Sequence, residues 1–250
     1  PKFDNVINGG SGIWQNSAGN NNWTDATGAV NAAFTDDAVA IFAGSAGTVT
    51  VDNSLGTVRA GGMQFATHGY IITGDSITLT GAQAAIRVGD GTAAGASYSA
   101  TIASALTGVS QLVKTDLGTL VLTGTNSYAG GTRIDAGTLR LGSGGAAGSI
   151  TGDIVNNGAL VVNRTGTLTL DGAISGTGTL AQLGGGTLIL SGTNSYAGGT
   201  TITLNTLRVS SDANLGDVAG RLSLQGGTLQ AAASFTSARD ILVGSQTSNR

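Results

Sequence analysis

Two stretches of the chain repeat one another. Residues 118–142 read GTLVLTGTNSYAGGTRIDAGTLRLG, and residues 186–209 read GTLILSGTNSYAGGTTITLNTLRV. Of the 24 aligned positions, 17 are identical at an offset of 68 residues. Because self-similarity at a fixed offset is the signature of a repeat architecture, this pair predicts that short units stack on one another along the chain.

A shorter unit, Gly-Thr/Ala-Leu, recurs in two series with steps of about 20 residues. The first series begins at Gly118, Gly137, Gly158 and Gly178, and the second at Gly166, Gly186, Asn205 and Gly227. In Thr119–Thr123 the leucines lie two apart, so they share one face of a strand and the threonines share the other. The sequence leaves open which series marks equivalent faces of the fold.

These patterns predict an all-β fold of the parallel β-helix type. A coil of about 20 residues is too thin to bury a core alone, whereas stacked coils bury a continuous column of leucine, isoleucine and valine. We therefore predict a single-stranded β-helix of roughly 11 or 12 coils, with threonines and the repeated Asn126 and Asn194 in ladders along its axis. A propeller fits less well, because each blade needs about 40 residues and aromatic signatures.

The composition supports this fold and excludes several classes of protein. Of 250 residues 43 are glycine, 34 are threonine, one is proline, and none is cysteine or glutamate. The chain has no Gly-X-Y period, so it is not collagen-like. Its 40% hydrophobic and 10% charged residues are the reverse of the composition that keeps a chain disordered. A net charge of −3 argues against a nucleic-acid partner. The absence of cysteine excludes disulfides and thiol chemistry.

The chain divides into two predicted parts. Residues 1–38 are dense in asparagine and glycine and hold both tryptophans, Trp14 and Trp23. They are predicted to be an N-terminal cap over the last core layer; an irregular first coil or a ligand-stacking site are the alternatives. Residues 39–250 are predicted to be the β-helix, and the segment from Gly227 to Gln230 opens a coil so late that we expect the solenoid to continue beyond Arg250.

Few residues offer catalytic or metal-binding chemistry. His68 is the only histidine, and no Gly-x-Ser-x-Gly elbow accompanies it, so we expect a loop residue rather than a catalytic or metal-binding group. The adjacent Asp36 and Asp37 are expected in a turn. Val88-Gly89-Asp90-Gly91 occurs once and not as a calcium-binding nonapeptide array. No catalytic, cofactor or metal site is predicted.

One charged group remains as a candidate site on the outer surface. Arg133, Asp135 and Arg140 are predicted to lie close together on one outer face, where β-helix lyases and glycosidases cluster their carboxylates. The second copy has Thr201, Thr203 and Arg208 at these positions, so the fold does not require the first two charges. Surface solubility is the favoured interpretation, with ligand binding and catalysis as alternatives.

The repeated stretch from Gly118 to Thr132, with Ile134 and Gly137–Leu139, resembles the passenger-associated β-strand repeat of bacterial autotransporters (type V secretion). The N-terminal GIWQNSAGNNNW and the stretch from Ala60 to Gly74 also resemble pieces of such passengers. The resemblance implies a right-handed parallel β-helix, a removed N-terminal signal, display on the bacterial cell surface or release from it, and a C-terminal outer-membrane β-barrel as a partner outside this chain.

Two classes of function follow from these observations. The first is a non-enzymatic, surface-displayed passenger stalk that contributes to adhesion or to cell–cell or self-association, with host surface or matrix molecules, glycans or like passengers as partners. The alternative is a carbohydrate-active β-helix, such as a polysaccharide lyase or glycosidase, or a phage tailspike-like binding protein. No cofactor is predicted for either.

Overall fold

The computed structural model describes residues 7–24 and 31–244. These residues form β-strands joined by turns, with two short 3₁₀ helices, Ala93–Ser97 and Asp212–Leu215, and no α-helix. No helix in this part of the chain is long and apolar enough to cross a membrane. The alanine-rich stretches at residues 81–86 and 93–106 are thus strand, loop and one of these 3₁₀ helices, because glycines interrupt them at short intervals.

The strands of the first half are β1 (Gly12–Gln15), β2 (Trp23–Thr24), β3 (Asn31–Ala32), β4 (Val39–Phe42), β5 (Thr48–Asp52), β6 (Val58–Ala60), β7 (Gly62–Phe65), β8 (Ile71–Gly74), β9 (Ile77–Leu79), β10 (Gln83–Val88), β11 (Ser99–Ile102), β12 (Leu106–Gly108) and β13 (Gln111–Thr115). Those of the second half are β14 (Thr119–Leu122), β15 (Thr132–Ile134), β16 (Thr138–Leu141), β17 (Ile154–Asn156), β18 (Ala159–Val162), β19 (Thr167–Leu170), β20 (Ile174–Ser175), β21 (Thr179–Gln182), β22 (Thr187–Leu190), β23 (Thr200–Thr203), β24 (Thr206–Val209), β25 (Leu222–Gln225), β26 (Thr228–Ala231) and β27 (Ile241–Gly244).

Apart from β2 and β3, which pair antiparallel with each other, the strands stack in parallel as a β-solenoid with three sides. The first side is an 11-stranded sheet that runs from β1 to β27. The second side carries β6, β9 and β12 in one sheet and β19, β22, β24 and β26 in another, and the third side is a seven-stranded sheet from β4 to β20. The predicted parallel β-helix is confirmed. The eleven strands of the first side bound ten turns within the described residues, close to the number predicted from the repeat length.

Each of the two Gly-Thr/Ala-Leu series forms one side of the solenoid. The first series lies on the first side, where Thr119, Thr138, Ala159 and Thr179 are in register. The second series lies on the second side, where Thr167, Thr187, Thr206 and Thr228 are in register. Both series therefore mark equivalent faces, and the predicted threonine ladder is present in the second.

The core is a set of inward columns, one residue from each coil. On the first side Ile102, Leu122, Leu141 and Val162 stack in register, and all four are buried. Burial of apolar area at roughly 25 cal/mol per Å² makes such columns the main stabilising feature of a solenoid whose coils touch only their neighbours. The column is not wholly apolar, because the next residue in register is the buried Gln182.

An aromatic cluster fills the N-terminal end of the core. Trp14 is buried, and its ring lies 5.2 Å from that of Trp23 and 4.9 Å from that of Phe34. Phe42 continues the cluster by stacking on Phe65 at 4.9 Å. The aromatic rings thus pack against the first coils, while residues 1–6 and 25–30 of the predicted cap fall outside the described part of the chain.

Candidate functional site

Each repeat copy makes one complete turn of the solenoid. In the first copy β14 pairs with β16, so that Thr119 lies opposite Thr138 on the first side. In the second copy β22 pairs with β24, so that Thr187 lies opposite Thr206, but on the second side. The 68-residue offset therefore corresponds to three turns plus one side, and nearly identical sequences occupy different faces.

A buried asparagine joins three coils in each copy. Asn126 Oδ1 accepts the backbone N–H of Leu106 in the preceding coil at 2.9 Å, and its Nδ2 donates to Ser149 O in the following coil at 2.8 Å. Asn194 Oδ1 accepts from Ile174 N at 2.8 Å, and its Nδ2 donates to Asn214 O at 2.6 Å. The predicted ladder of these asparagines is wrong: they lie about three turns apart, and their amides bond backbone groups instead of stacking.

The Asn-Ser-Tyr-Ala-Gly-Gly segment of each copy ends a sheet. In the first copy Ser127 N and Ala129 N both donate at 2.9 Å to carbonyls of β12, the last strand of its sheet. In the second, Ser195 N and Ala197 N donate at 2.8 and 2.9 Å to Ile174 O and Gly176 O, beside β20, the end strand of the third side. The segment thus covers the edge of the preceding strand, with the asparagine side chain in place of a backbone acceptor.

A tyrosine fills the core behind each of these segments. The Tyr128 hydroxyl hydrogen-bonds the Thr132 hydroxyl at 2.8 Å, and Tyr196 bonds Thr200 at 2.7 Å. All four side chains are buried. Burial raises the pKa of Tyr128, and it raises the pKa of Tyr196 to about 12. Both hydroxyls therefore remain protonated and serve as core hydrogen-bond partners.

A buried lysine precedes the first copy, and a buried glutamine precedes the second copy at the equivalent position. Lys114 Nζ donates to the carbonyls of Thr115, Asp116 and Ala136 at 2.9, 2.8 and 3.2 Å. Burial lowers the pKa of Lys114 to about 8, against the opposing effect of Asp116. Gln182, 68 residues on, donates to Gly184 O and Gly186 O at 3.3 and 3.0 Å. Both side chains satisfy the carbonyls of the corner that follows them.

His68 bonds the backbone, and the neighbouring pair Asp36 and Asp37 lies in a turn. His68 is exposed, and its Nδ1 accepts the backbone N–H of Ser99 at 3.0 Å. Asp36 and Asp37 lie in a turn, as predicted, and Asp37 pairs with Arg59 at 3.0 Å. His68 is therefore a loop residue, as the sequence predicts.

The structure separates the predicted charged group. Arg133 lies on β15 and Asp135 directly follows that strand, so both are on the third side. Arg133 Nη2 donates to Asp135 Oδ2 at 2.9 Å, and both side chains are about one-third exposed. Arg140 belongs to β16 on the first side, in register between Val121 and Val161. The prediction that all three share one face is wrong, because the chain turns a corner between Asp135 and Thr138.

Asp90 and Asp116 each accept hydrogen bonds from a nearby turn. Asp90, in the Gly-Asp-Gly stretch weighed as a calcium loop, accepts from the backbone and hydroxyl of Thr92 at 2.9 and 2.8 Å. Asp116 accepts from Arg87 Nε and from Gly91 N, both at 2.9 Å. Across residues 7–24 and 31–244, no three histidine or acidic side chains converge in a way that would hold a metal ion.

A cleft of about 440 Å³ lies at the N-terminal end of the solenoid. Its walls include Trp23, Phe42, Val49 and Tyr70. The Tyr70 hydroxyl donates to the backbone carbonyl of Ala43 at 2.7 Å and accepts from the backbone N–H of Gly10 at 3.1 Å. The cleft is therefore mainly apolar, with its one aromatic hydroxyl committed to the backbone.

Besides Lys114, a second buried charge was not predicted from the sequence. Arg239 is almost fully buried; its guanidinium pairs with Asp212 at 2.8 Å and donates to Leu215 O, Asp217 O and Gly220 O at 3.1 to 3.2 Å. These carbonyls belong to the loop that follows the second copy. A single arginine among small residues gives no sequence signal for such a role, because most of its partners are backbone carbonyls of an earlier coil.

The fold and the repeated turn define a class, the parallel β-solenoids assembled from a recurring one-turn motif. The family model described as Passenger-associated-transport-repeat matches residues 112–141 and 180–209, which include all 24 aligned positions of both copies. The chain is 52% identical over 244 residues to the Adhesin BmaC autotransporter of Brucella suis biovar 1 (strain 1330), with 89% of this chain covered. No solved structure matches the chain.

The chain belongs to the autotransporter passengers that carry passenger-associated transport repeats. It spans about 7% of the length of the curated relative that it matches.

Proposed function

We propose that this chain is a non-enzymatic adhesive segment of an autotransporter passenger, displayed at the bacterial cell surface. The observation that carries the proposal is the 52% identity, across 89% of the chain, to a protein whose name describes an adhesin autotransporter. In this proposal the chain is exported and tethered through a C-terminal outer-membrane β-barrel that lies outside it.

The chemistry of the described surface supports a binding role over a catalytic one. Arg133 and Asp135 neutralise each other, Asp90 and Asp116 are occupied by turn N–H groups, and His68 accepts a backbone N–H. A glycosidase-type mechanism needs two free carboxyl groups at a fixed separation across a sugar-binding groove. These carboxylates all follow strands of the third side, β10, β13 and β15, but each is already bonded to its own partners.

The geometry supports a stalk that presents a long, regular surface. Outward positions repeat once per coil at the strand spacing of about 4.8 Å, as in the ladder of Thr167, Thr187, Thr206 and Thr228. Many weak contacts spread along such a surface produce avidity without a deep pocket. We also propose that residues 1–38 are an N-terminal cap, because Trp14, Trp23 and Phe34 pack as one cluster at that end.

The proposal is tested by coating latex beads with the purified 250-residue chain. The beads are applied to an epithelial cell monolayer and to immobilised extracellular matrix, and bead–bead aggregation is measured in parallel. We expect adherence or aggregation well above that of beads coated with albumin. Beads that behave like the albumin control in every format would contradict the proposal for this segment.

The doubly substituted Arg133→Thr, Asp135→Thr chain is the matched control, because threonine occupies both positions in the second copy. Unchanged adherence would indicate that binding is distributed along the surface. The same pair of proteins is incubated with a panel of polysaccharides. Release of reducing or unsaturated sugar ends by the unsubstituted chain, and not by the variant, would overturn the non-enzymatic assignment.

A further inference from the structure

The same set of inter-coil bonds occurs twice, on two different sides of the solenoid. In a solenoid each coil contacts only its neighbours, so most hydrogen bonds link two coils. Asn126 and Asn194 each link three, through an oxygen bonded to the coil before and a nitrogen bonded to the coil after. Both amides are buried, so that loss of either leaves backbone groups without partners.

An arginine from a later coil holds the loop that follows each copy. Arg164 Nη1 donates to Gly148 O at 2.7 Å, within the strandless segment after the first copy. Arg239 binds Asp212 and four nearby carbonyls after the second copy, among them Leu215 O. Each asparagine thus bonds a loop that is held from both directions along the axis.

We propose that each repeat copy is a clamp that makes its own three-coil block the last part of the solenoid to open. The clamp consists of the asparagine that joins three coils, the Asn-Ser-Tyr-Ala-Gly-Gly segment that covers a strand edge, and the arginine that holds the next loop. The passenger then has two local centres of stability, and opening begins outside them. This inference does not depend on the adhesive role.

The test is native-state hydrogen exchange, resolved by peptide mass spectrometry, on the full 250-residue chain. In the unsubstituted protein we expect the slowest exchange at amides of the two blocks, such as Leu106, Ser127, Ile174 and Ser195, all of which are bonded across coils. Slowest exchange in the coils before Ile102 would overturn the proposal, and this measurement requires no variant.

Single substitutions then test the reach of each clamp. In Asn126→Ala we expect exchange about tenfold faster or more in the coils before and after the first copy, with little change around the second; Asn194→Ala should do the converse. Asn157→Ala is the control, because Asn157 is exposed and its amide oxygen accepts one bond, from Thr177 N at 3.2 Å.

The variant Tyr128→Phe shows whether the effect of Asn126→Ala reaches further along the solenoid than the loss of an ordinary core hydrogen bond. It removes one buried hydroxyl bond, to Thr132 in the same coil, and leaves Asn126 in place. We expect faster exchange only within that coil. Equal acceleration along the whole solenoid after Asn126→Ala, or an effect of Asn126→Ala no wider than that of Tyr128→Phe, would contradict the clamp.

Discussion

The two repeat copies are nearly the same sequence on different faces of one molecule. The first begins on the first side with β14, and the second begins on the second side with β22. Both nevertheless close a full turn, with Thr119 opposite Thr138 and Thr187 opposite Thr206. The repeat therefore specifies one turn of backbone together with its bonds to adjacent coils. The same turn forms whether it starts on the first or the second side.

The copies and the residues just before them differ mainly at the corners and on the outer surface. Arg133, Asp135 and Gly137 of the first copy correspond to Thr201, Thr203 and Asn205 of the second, and Lys114 before the first corresponds to Gln182 before the second. The shared residues include the asparagine that bonds across coils and the tyrosine that fills the core. Substitutions at shared positions should therefore act alike in both copies, and exchanges at the differing positions should show what each corner contributes.

The largest effect is expected from the buried tyrosines. Tyr128→Ala and Tyr196→Ala should each lower the free energy of unfolding by about 3–5 kcal/mol, because a fully buried ring is lost and a threonine hydroxyl loses its partner. Chemical denaturation measures both. A difference between the two that exceeds about 2 kcal/mol would show that the copies are not energetically equivalent.

The buried lysine should make the first copy sensitive to pH. Its pKa of about 8 lies below that of an unfolded lysine, so between about pH 8 and 10.5 the unfolded chain binds more protons than the folded one. Stability relative to Lys114→Gln should therefore rise by about 3 kcal/mol as the pH increases through this window and stay constant below it. Urea denaturation of both proteins at each pH checks this; parallel curves would contradict it.

Much of this architecture could be predicted from the sequence. The offset between copies and the 20-residue steps predict stacked coils, because strand alternation and glycine corners are local features of Thr119–Thr123 and its equivalents. The side on which each copy starts could not be read, since it depends on the summed length of all preceding turns. The buried roles of Lys114 and Arg239 also escaped, because both side chains bond backbone carbonyls, for which no residue type is a marker.

The corner before β16 should be more sensitive to substitution than its counterpart before β24. Gly137 has φ +68°, and a Cβ there would lie 2.5 Å from the carbonyl oxygens of Asp116 and Gly118. Gly137→Ala should cost about 2 kcal/mol. In the second copy Leu204 holds the positive φ, +61°, and is exposed, so Leu204→Gly should stabilise by up to about 1 kcal/mol.

Thermal and urea unfolding of both variants tests this contrast. A tolerated alanine at Gly137, or a destabilising glycine at Leu204, would show that the corner conformations differ from those described.

The smallest effect is expected from the surface ion pair. The substitutions Arg133→Thr and Asp135→Thr, made together, give the first copy the residues of the second and should change the free energy of unfolding by less than about 0.5 kcal/mol. The reason is that both side chains are about one-third exposed and the pair is screened by solvent. Denaturation in low and high salt measures it, and a loss of several kcal/mol would show that the pair has a structural role.

The rotation between the two copies is tested most directly by cross-linking. The native chain has no cysteine, so pairs can be introduced singly. Ala159→Cys with Thr179→Cys on the first side, and Thr167→Cys with Thr187→Cys on the second, place cysteines directly opposite in adjacent coils, at the strand spacing of about 4.8 Å, within reach of a disulfide.

The account predicts that both of these pairs oxidise readily, whereas Thr179→Cys with Thr187→Cys, which joins the two sides, does not. A cross-link between Cys at positions 179 and 187, or failure of both same-side pairs, would contradict the rotation of the second copy by one side of the solenoid.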